Sequence, residues 1–235
     1  DGFEFFGGTV NVKYLSAIFC RDDCFDTDLG YQGKGQFLFA LLGRDECGRA
    51  FEMDNNGSDM DIQPRSYPVF YNVTLIGPGG GEPAGDGSDQ MIRLREGTGG
   101  DFRGIIIANG NGVGLRISDD VTMNLIIQNE PTGDNKNSLY FSQNNIIYQC
   151  QKGALHGDNI DQLQVSEENP MLVSIDEINH HFDPRPKSGS PVIQVEEVNY
   201  SDNFFKSVNY QGAFSEETLW LRGWSWLDEA GYLVR

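Results

Sequence analysis

Near the start of the chain, four carboxylates fall within seven residues and form the densest group of side chains that could do chemistry. They are Asp22, Asp23, Asp26 and Asp28, and the glycine-rich stretch 30–35 follows them. Carboxylates packed this closely repel one another unless a cation or hydrogen bonds offset their charge. Calcium could do so, because it takes roughly six to eight oxygen ligands from irregular loops, although the spacing is not that of an EF-hand. We therefore predict a calcium site at these four residues, with a solvated or hydrogen-bonded turn as an alternative.

A catalytic use of the same segment is the other alternative. Paired carboxylates carry out glycoside hydrolysis. Asp1 precedes Asp22 by 21 positions, about one coil of a β-solenoid, so Asp1 is expected to stack beside Asp22 and Asp23. A lyase would also need calcium and an Arg, Lys or His that removes a proton from the sugar, and Arg21 and Lys34 are the nearest candidates.

Neither the histidines nor the cysteines predict a metal centre. His180 and His181 are adjacent and would point to opposite faces of a strand, and His156 precedes a turn at residues 157–158. The cysteines have no CxxC spacing, so we predict disulfides or buried thiols rather than a zinc site. They are Cys20, Cys24, Cys47 and Cys150.

The composition limits the possible partners. The chain has 35 acidic against 17 basic residues and a net charge of −18, which disfavours nucleic acid and anionic membrane surfaces. Apolar residues occur only in short runs, far below the ~18 that a membrane-spanning helix needs. Asn56, Asn72 and Asn199 each begin an Asn-x-Ser/Thr triplet, the acceptor pattern for glycosylation of a secreted protein.

The elements that must position the acidic residues are short β-rich runs separated by Gly, Asn and Asp. Helical periodicity is hard to find before residue 160, which argues against alternating strands and helices. We predict an all-β, right-handed parallel β-helix, with a β-sandwich as the alternative. The predicted strands are 9–19, 35–42, 68–76, 90–94, 102–108, 113–117, 121–128 and 138–148.

Two loops and a change of pattern complete the predicted organisation. Segments 43–66 and 77–89 are rich in acidic residues or in glycine and are expected to protrude on one face. We predict coils over 1–155 and a C-terminal wrap or cap over 156–235 that covers an open end of the solenoid. Its aromatic residues would pack as the cap or stack on sugars. They are Phe204, Phe205, Phe214, Trp220, Trp224 and Trp226.

The start of the chain resembles the acidic region of polygalacturonase-like hydrolases, from D-G-F at residues 1–3 through R-D-D-C at 21–24. That family carries a Gly-His-Gly one coil later, but residues 43–57 contain no histidine. It also carries a lysine where Ser118 stands here after Arg116 and Ile117. These departures put hydrolysis by that pattern in doubt.

A closer resemblance is to a large, poorly characterised family of exported microbial proteins, found mainly in aquatic bacteria and in some microalgae. It is carried by D-G-F-E-F-F-G-G-T-V-N-V-K-Y-L at 1–15, D-D-C-F-D at 22–26, G-K-G-Q-F at 33–37, N-Y-Q-G-A-F at 209–214 and W-L-R-G-W at 220–224. The resemblance implies a secreted or surface-attached β-helix and no particular activity. Family members usually have further coils before this motif, and the cysteines at 20, 24 and 47 depart from it and suggest a disulfide-stabilised variant.

We therefore expect a secreted or cell-surface protein of a structural, surface-assembly or adhesive kind. It would be stabilised by calcium, would contact other protein chains or extracellular glycans, and would be non-catalytic. The strand-like opening and the lack of a signal peptide predict a processed or truncated N-terminus. The alternative is a lyase or hydrolase that acts on acidic polysaccharides, with Asp1, Asp22, Asp23, Asp26 and Arg21 or Lys34 at its site.

Overall fold

The computed structural model describes residues 1–45, 47–81, 89–133, 135–158, 160–193, 195 and 202–234. Up to residue 158, nearly all regular structure in this part of the chain is short β-strand. In chain order the strands are β1 (Phe3–Phe6), β2 (Val12–Lys13), β3 (Ser16–Ile18), β4 (Phe25–Asp28), β5 (Lys34–Leu41), β6 (Phe51–Met53), β7 (Val69–Ile76), β8 (Gln90–Leu94), β9 (Gly100–Ala108), β10 (Val113–Ile117), β11 (Leu139–Phe141), β12 (Ile146–Tyr148) and β13 (Leu155–His156).

These strands form two parallel sheets that the chain visits in turn. The first sheet has the order β1-β4-β6-β8-β10-β13, and the second has β11-β9-β7-β5-β2, with β3 also paired to β5 and β12 to β9. Each coil of the chain thus adds a strand to each sheet, and its partners lie one coil away. Parallel pairing of this kind excludes the β-sandwich with hairpins. The predicted all-β class is confirmed, and the right-handed sense of winding stays a prediction.

The interior is filled by apolar side chains that stack from coil to coil. On the first sheet, Phe3, Phe25 and Phe51 are aligned in register, with ring centroids 5.4 Å apart for the first pair and 5.6 Å for the second. Phe51 also meets Phe70 of the second sheet at 5.5 Å, so the rings join the two sheets. Aromatic stacks of this length hold successive coils together and fix their register.

Two features of the strand prediction were wrong. Segment 121–128 is not a strand: it begins as a short helix, α1 (Asp120–Met123), because the Asp119 carboxylate accepts a hydrogen bond from the Thr122 backbone N–H at 2.8 Å and caps it. Strands β4 and β6 lie in segments that had been assigned to an acidic turn and an acidic loop. Both are too short and too polar to be recognised alone, and their pairing with neighbouring coils makes them strands.

The C-terminal part lies against the second sheet. It contains a hairpin of β14 (Leu172–Asp176) and β15 (His181–Pro186) and a short helix, α2 (Trp226–Glu229). The outer face of the second sheet is apolar, and burying it is the reason why the segment packs there. The C-terminal segment therefore wraps a face of the sheet, whereas the sequence predicts a wrap or cap over an open end of the solenoid. The buried cluster joins Phe39, Leu41, Ile76 and Ala108 of the sheet to Phe182, Ala213, Phe214, Leu219, Leu221, Leu227 and Leu233.

The two predicted loops differ in how far the structure describes them. Segment 43–66 contains β6, so it is not wholly a loop. The middle of the glycine-rich segment, residues 82–88, lies outside the described residues. The part before it remains attached to the next coil, since the Gly77 backbone N–H donates to the Ala108 carbonyl at 2.9 Å.

One side-chain hydrogen bond between the second sheet and the C-terminal segment gives a stability prediction. The Thr74 hydroxyl, which is buried, accepts from the Ala213 backbone N–H at 2.9 Å. Thr74→Val keeps the shape but leaves that buried N–H without an acceptor, so we expect a loss of about 1–3 kcal/mol in the free energy of unfolding, measured by urea denaturation. Thr74→Ser, which keeps the hydroxyl, is the control. A valine variant no less stable than the serine variant would show that this bond contributes nothing.

Candidate functional site

The outer face of the first sheet carries a row of charged side chains. Phe25 and Thr27 of β4 are buried, so Asp26 between them projects outward, as alternate residues of a strand do. In the neighbouring coils the register places one charged or polar residue beside it at every strand, with coils about 4.8 Å apart. The row reads Glu4, Asp26, Glu52, Arg93, Arg116 and His156, and we call it the charged ladder.

The acidic half of the charged ladder brings carboxylates from three coils together. Three groups of carboxylates each have ligand oxygens within 4.8 Å of one another. Asp1 and Asp23 belong to two of these groups each, and the Asp23 backbone N–H also donates to Asp1 Oδ1 at 3.2 Å. Asp26 likewise belongs to two. The groups are Asp1, Asp22 and Asp23; Asp1, Glu4 and Asp26; and Asp23, Asp26 and Glu52.

Arg49 neutralises part of this negative charge, because its guanidinium group contacts two of the carboxylates. Its Nη1 is 3.2 Å from Asp23 Oδ2 and 2.8 Å from Glu52 Oε1, and all three side chains are at least nine-tenths buried. The Arg49 backbone N–H also donates to Asp23 Oδ1. A buried ion network of this kind fixes the orientation of the Asp23 and Glu52 side chains.

Further guanidinium groups lie on the basic side of Glu52. Glu52 Oε1 is 3.3 Å from Arg95 Nη2 and 3.9 Å from Arg93 Nη1. Arg95 also donates through Nε to both oxygens of Asp54, at 2.9 and 2.8 Å. The middle of the face is therefore an acid–arginine junction: three arginines contact Glu52, whereas the groups that contain Asp26 consist of carboxylates.

The unequal surroundings separate the protonation states of neighbouring carboxyls. Burial raises the pKa of Asp26 to about 8, and the negative charges of Asp54, Glu52, Asp23 and Glu4 add to the effect. Burial also raises the pKa of Asp54 to about 6, although its bond to Arg95 opposes the shift. Asp26 is therefore largely protonated at neutral pH, within reach of charged neighbours.

The donor set fits a hard cation. All the candidate ligands are carboxylate oxygens, which suit calcium rather than zinc or copper. Among the described residues Asp26 Oδ1 is buried and has no hydrogen-bond partner, a costly condition that a bound cation would relieve. Each of the three groups, which together comprise Asp1, Glu4, Asp22, Asp23, Asp26 and Glu52, could hold calcium. The chemistry that calcium would supply is neutralisation of the carboxylates and of an anionic ligand.

The structure brings some of the predicted site residues together and places others elsewhere. Asp1, Asp22, Asp23 and Asp26 come together as described, and Arg21 is exposed in the turn before Asp22. Asp28 is the next outward-facing residue of β4 after Asp26, and it belongs to none of the three acidic groups. Its Oδ1 accepts a hydrogen bond from the Leu29 backbone N–H. The sequence predicts all four ligands in one irregular turn. Asp26 and Asp28 instead lie on the extended strand β4, which holds their side chains apart.

Lys34 is the clearest error in the predicted site. It begins β5 on the second sheet, and its Nζ pairs with the carboxylate of Asp202. The physical reason is the alternation of the coil, which carries the chain from the first sheet at Asp28 to the second sheet at Lys34. Closeness in sequence therefore does not bring Lys34 to the acidic groups.

Sequence reasoning missed Glu4, Glu52, Arg49, Arg93 and Arg95. A signal for the acidic half was present. Each of its strands has an acidic residue between two inward-facing residues, and each begins with phenylalanine: F-E-F at residues 3–5, F-D-T at 25–27 and F-E-M at 51–53. The arginines have no comparable signal, because the long segment between β6 and β8 hides the register.

The cysteines and the acceptor triplets can also be compared with the prediction. All four cysteines are free thiols, and Cys24 and Cys47 are buried, so the structure agrees with buried thiols rather than with the disulfide alternative. Cys24 Sγ donates to the Ala17 carbonyl at 3.8 Å. Asn72 is buried and bonded to Gln36 and to the Tyr210 carbonyl, which gives it a structural role. Asn199 lies outside the described residues.

Comparisons with known proteins agree with the coiled topology. A family model described as "Pectate-lyase like beta helix domain" matches residues 1–170. No curated protein and no solved structure matches the chain. Within the described residues, no helix has the length and apolar character that a bilayer crossing requires.

Proposed function

Because the chain belongs to the family of pectate-lyase-like β-helix domains, we propose that it acts on or at extracellular polysaccharide through the charged ladder of its first sheet. The first candidate is a calcium-stabilised glycan-binding protein of a surface or adhesive kind, secreted or attached to the cell surface. The observation that carries it is Asp26, which belongs to two groups of carboxylates from stacked coils and whose buried Oδ1 has no hydrogen-bond partner among the described residues.

The acidic and basic halves of the charged ladder would bind different groups of the ligand. A cation bound at the acidic half would attract the anionic groups of a uronate chain. Arg93 and Arg116, one coil apart on the same row, would bind further carboxylates of that chain, since guanidinium groups pair well with carboxylates. The side chains of Arg93 and Arg116 are 24% and 37% exposed, so both can be reached from solvent.

The test is binding to immobilised polygalacturonate and alginate, with a neutral β-glucan as comparator, in calcium and in chelator. We expect retention on the acidic polymers in calcium only, and a drop of about tenfold in affinity for Arg93→Met. Arg222→Met, which removes an exposed arginine elsewhere, is the matched control. Equal retention in chelator, or an unaffected Arg93→Met variant, would contradict the proposal.

The second candidate function is cleavage of the glycan. Asp26 is protonated at neutral pH and lies within 4.8 Å of Glu52, which three arginines surround. A neutral acid beside a charged carboxylate is the arrangement of glycoside hydrolases, and a separation of about 5 Å favours retention of configuration. Asp26 would donate its proton to the leaving oxygen as the glycosidic bond breaks, and Glu52 would form an ester bond with the anomeric carbon. Water, deprotonated by Asp26, would then cleave this ester, release the sugar and restore both carboxyl groups.

Calcium separates the two candidates. A cation on Asp26 holds the carboxylate deprotonated, so it would support binding but inhibit proton donation. If the protein is a hydrolase, oligosaccharide release is faster in chelator than in calcium and is abolished by Asp26→Asn without loss of thermal stability. If it only binds, no oligosaccharides appear under either condition.

A further inference from the structure

Two tryptophans of the C-terminal segment are exposed, although most large apolar side chains of the described residues are buried. Trp224 is 60% and Trp226 is 53% exposed. Trp224 stacks on Trp220 with ring centroids 6.0 Å apart and an angle of 11° between the planes, and its Nε1 donates to the Trp220 carbonyl. The ring is thus held in place, and its polar edge is already satisfied, while one face is left to solvent.

Trp226 is fixed in a similar way. It begins α2, whose N-terminus is capped by Ser225, and its indole packs against two other rings. The centroid distances are 5.9 Å to Phe19, edge-on, and 5.2 Å to Tyr232. An aromatic ring that is rigid yet half exposed costs little conformational entropy when a ligand stacks on it.

The rings that hold Trp226 also line a cleft. Phe19 and Tyr232 form part of its wall, and His180 stacks on Tyr232 with centroids 4.0 Å apart. The cleft has a volume of about 400 Å³, within the usual range of small-ligand sites. Its polar wall contains Asp45 and the pair of Arg44 and Glu177, whose Nε and Oε1 are 2.7 Å apart.

We propose that Trp226 and this cleft bind a pyranose ring of a neutral glycan, with Trp224 as a second stacking position. A pyranose has an apolar face of C–H groups, which suits the negative face of an indole, and a rim of hydroxyls, which suits carboxylates and a guanidinium. The charged wall argues against a protein partner, because interface cores are depleted of charged residues. The net charge of −18 opposes an anionic membrane surface.

This site is independent of the charged ladder. It is built from the C-terminal segment and from residues 19, 44 and 45 of the early coils, and none of its residues belongs to the acidic groups. A neutral sugar needs neither calcium nor Arg93. Binding at the two sites can therefore be measured separately.

The experiment is a titration of the full chain with cellohexaose, laminarihexaose and mannohexaose in chelator, followed by tryptophan fluorescence and calorimetry. We expect saturable binding of at least one probe and a loss of about tenfold or more in affinity for Trp226→Ala. Trp226→Phe keeps a ring and should retain most of the affinity. Asp28→Asn, which lies outside this cleft and outside the acidic groups, should bind as the wild type does.

Melting curves verify that each variant is folded. Absence of binding by all three probes at millimolar concentration would overturn the proposal, as would a Trp226→Ala variant with unchanged affinity. Self-association of the wild type that Trp226→Ala removes would instead assign this surface to a second copy of the chain.

Discussion

Arg49→Met lowers the free energy of unfolding by about 3–5 kcal/mol, because it leaves the buried carboxylates of Asp23 and Glu52 without their shared cation. Methionine fills much of the volume, so the loss reports charge rather than a cavity. Urea denaturation at pH 8 measures the effect. The matched control is Arg116→Met, which removes an arginine that is 37% exposed and whose partner Asp89 is 45% exposed, and it should cost less than about 1 kcal/mol.

The penalty for Arg49→Met should also depend on pH. Burial already raises the pKa of Asp23 to about 6, and loss of the guanidinium raises it further. At pH 5 Asp23 is then protonated, and a neutral carboxyl is cheaper to bury than a charged one. We therefore expect a smaller loss of stability at pH 5 than at pH 8. An equal loss at both pH values would attribute it to packing alone.

Asp26→Asn raises the melting temperature at pH 8 in the absence of calcium by about 3–6 °C. An aspartate in the unfolded chain titrates near pH ~4, and Asp26 in the folded protein titrates at about 8. Between these values the folded state binds more protons, so the free energy of unfolding falls as the pH rises from about 4 to about 8. Asparagine does not titrate, and the variant should lose that part of the pH dependence.

We expect calcium to reverse the order of the melting temperatures of the wild type and the Asp26→Asn variant. At a concentration about 100 times its dissociation constant, a ligand of the folded state adds about 2.7 kcal/mol. This raises the melting temperature of the wild type by about 5–10 °C, whereas Asp26→Asn replaces a carboxylate shared by two groups with a neutral amide, a weaker calcium ligand, and should respond less. Asp28→Asn, on the same strand but outside the acidic groups, should respond as the wild type does. An equal response of all three proteins would locate calcium elsewhere.

The parts of the fold that could be predicted are those with long apolar runs. Strands β5, β7 and β9 are eight or nine residues long and largely buried, so their sequences alone indicate strands. Strand β6 has three residues and β13 has two, and each is a strand only because a neighbouring coil supplies its hydrogen bonds. The same dependence on neighbours explains why segment 121–128, apolar and β-branched, was mistaken for a strand when a local cap decided its structure.

The sequence predicts which residues of the candidate site lie together only where those residues are one regular coil apart. The step from Asp1 to Asp22 and Asp23 follows a regular coil and was expected correctly. The steps to Glu52 and to Arg93 cross longer segments, whose lengths are set by loops and not by the repeat. Burial of Arg49 could not be foreseen either, since an arginine followed by alanine and phenylalanine has no special pattern.

The order of charges along the ladder also gives the face a direction. The acids occupy the coils nearest the start of the chain and the bases occupy the later ones, with a single change of sign between Glu52 and Arg93. A polysaccharide has distinct reducing and non-reducing ends, so its two possible alignments on this face are not equivalent. If the ladder binds a polysaccharide as proposed, the protein should select one polarity of the glycan chain, and all copies bound along one glycan chain should point the same way.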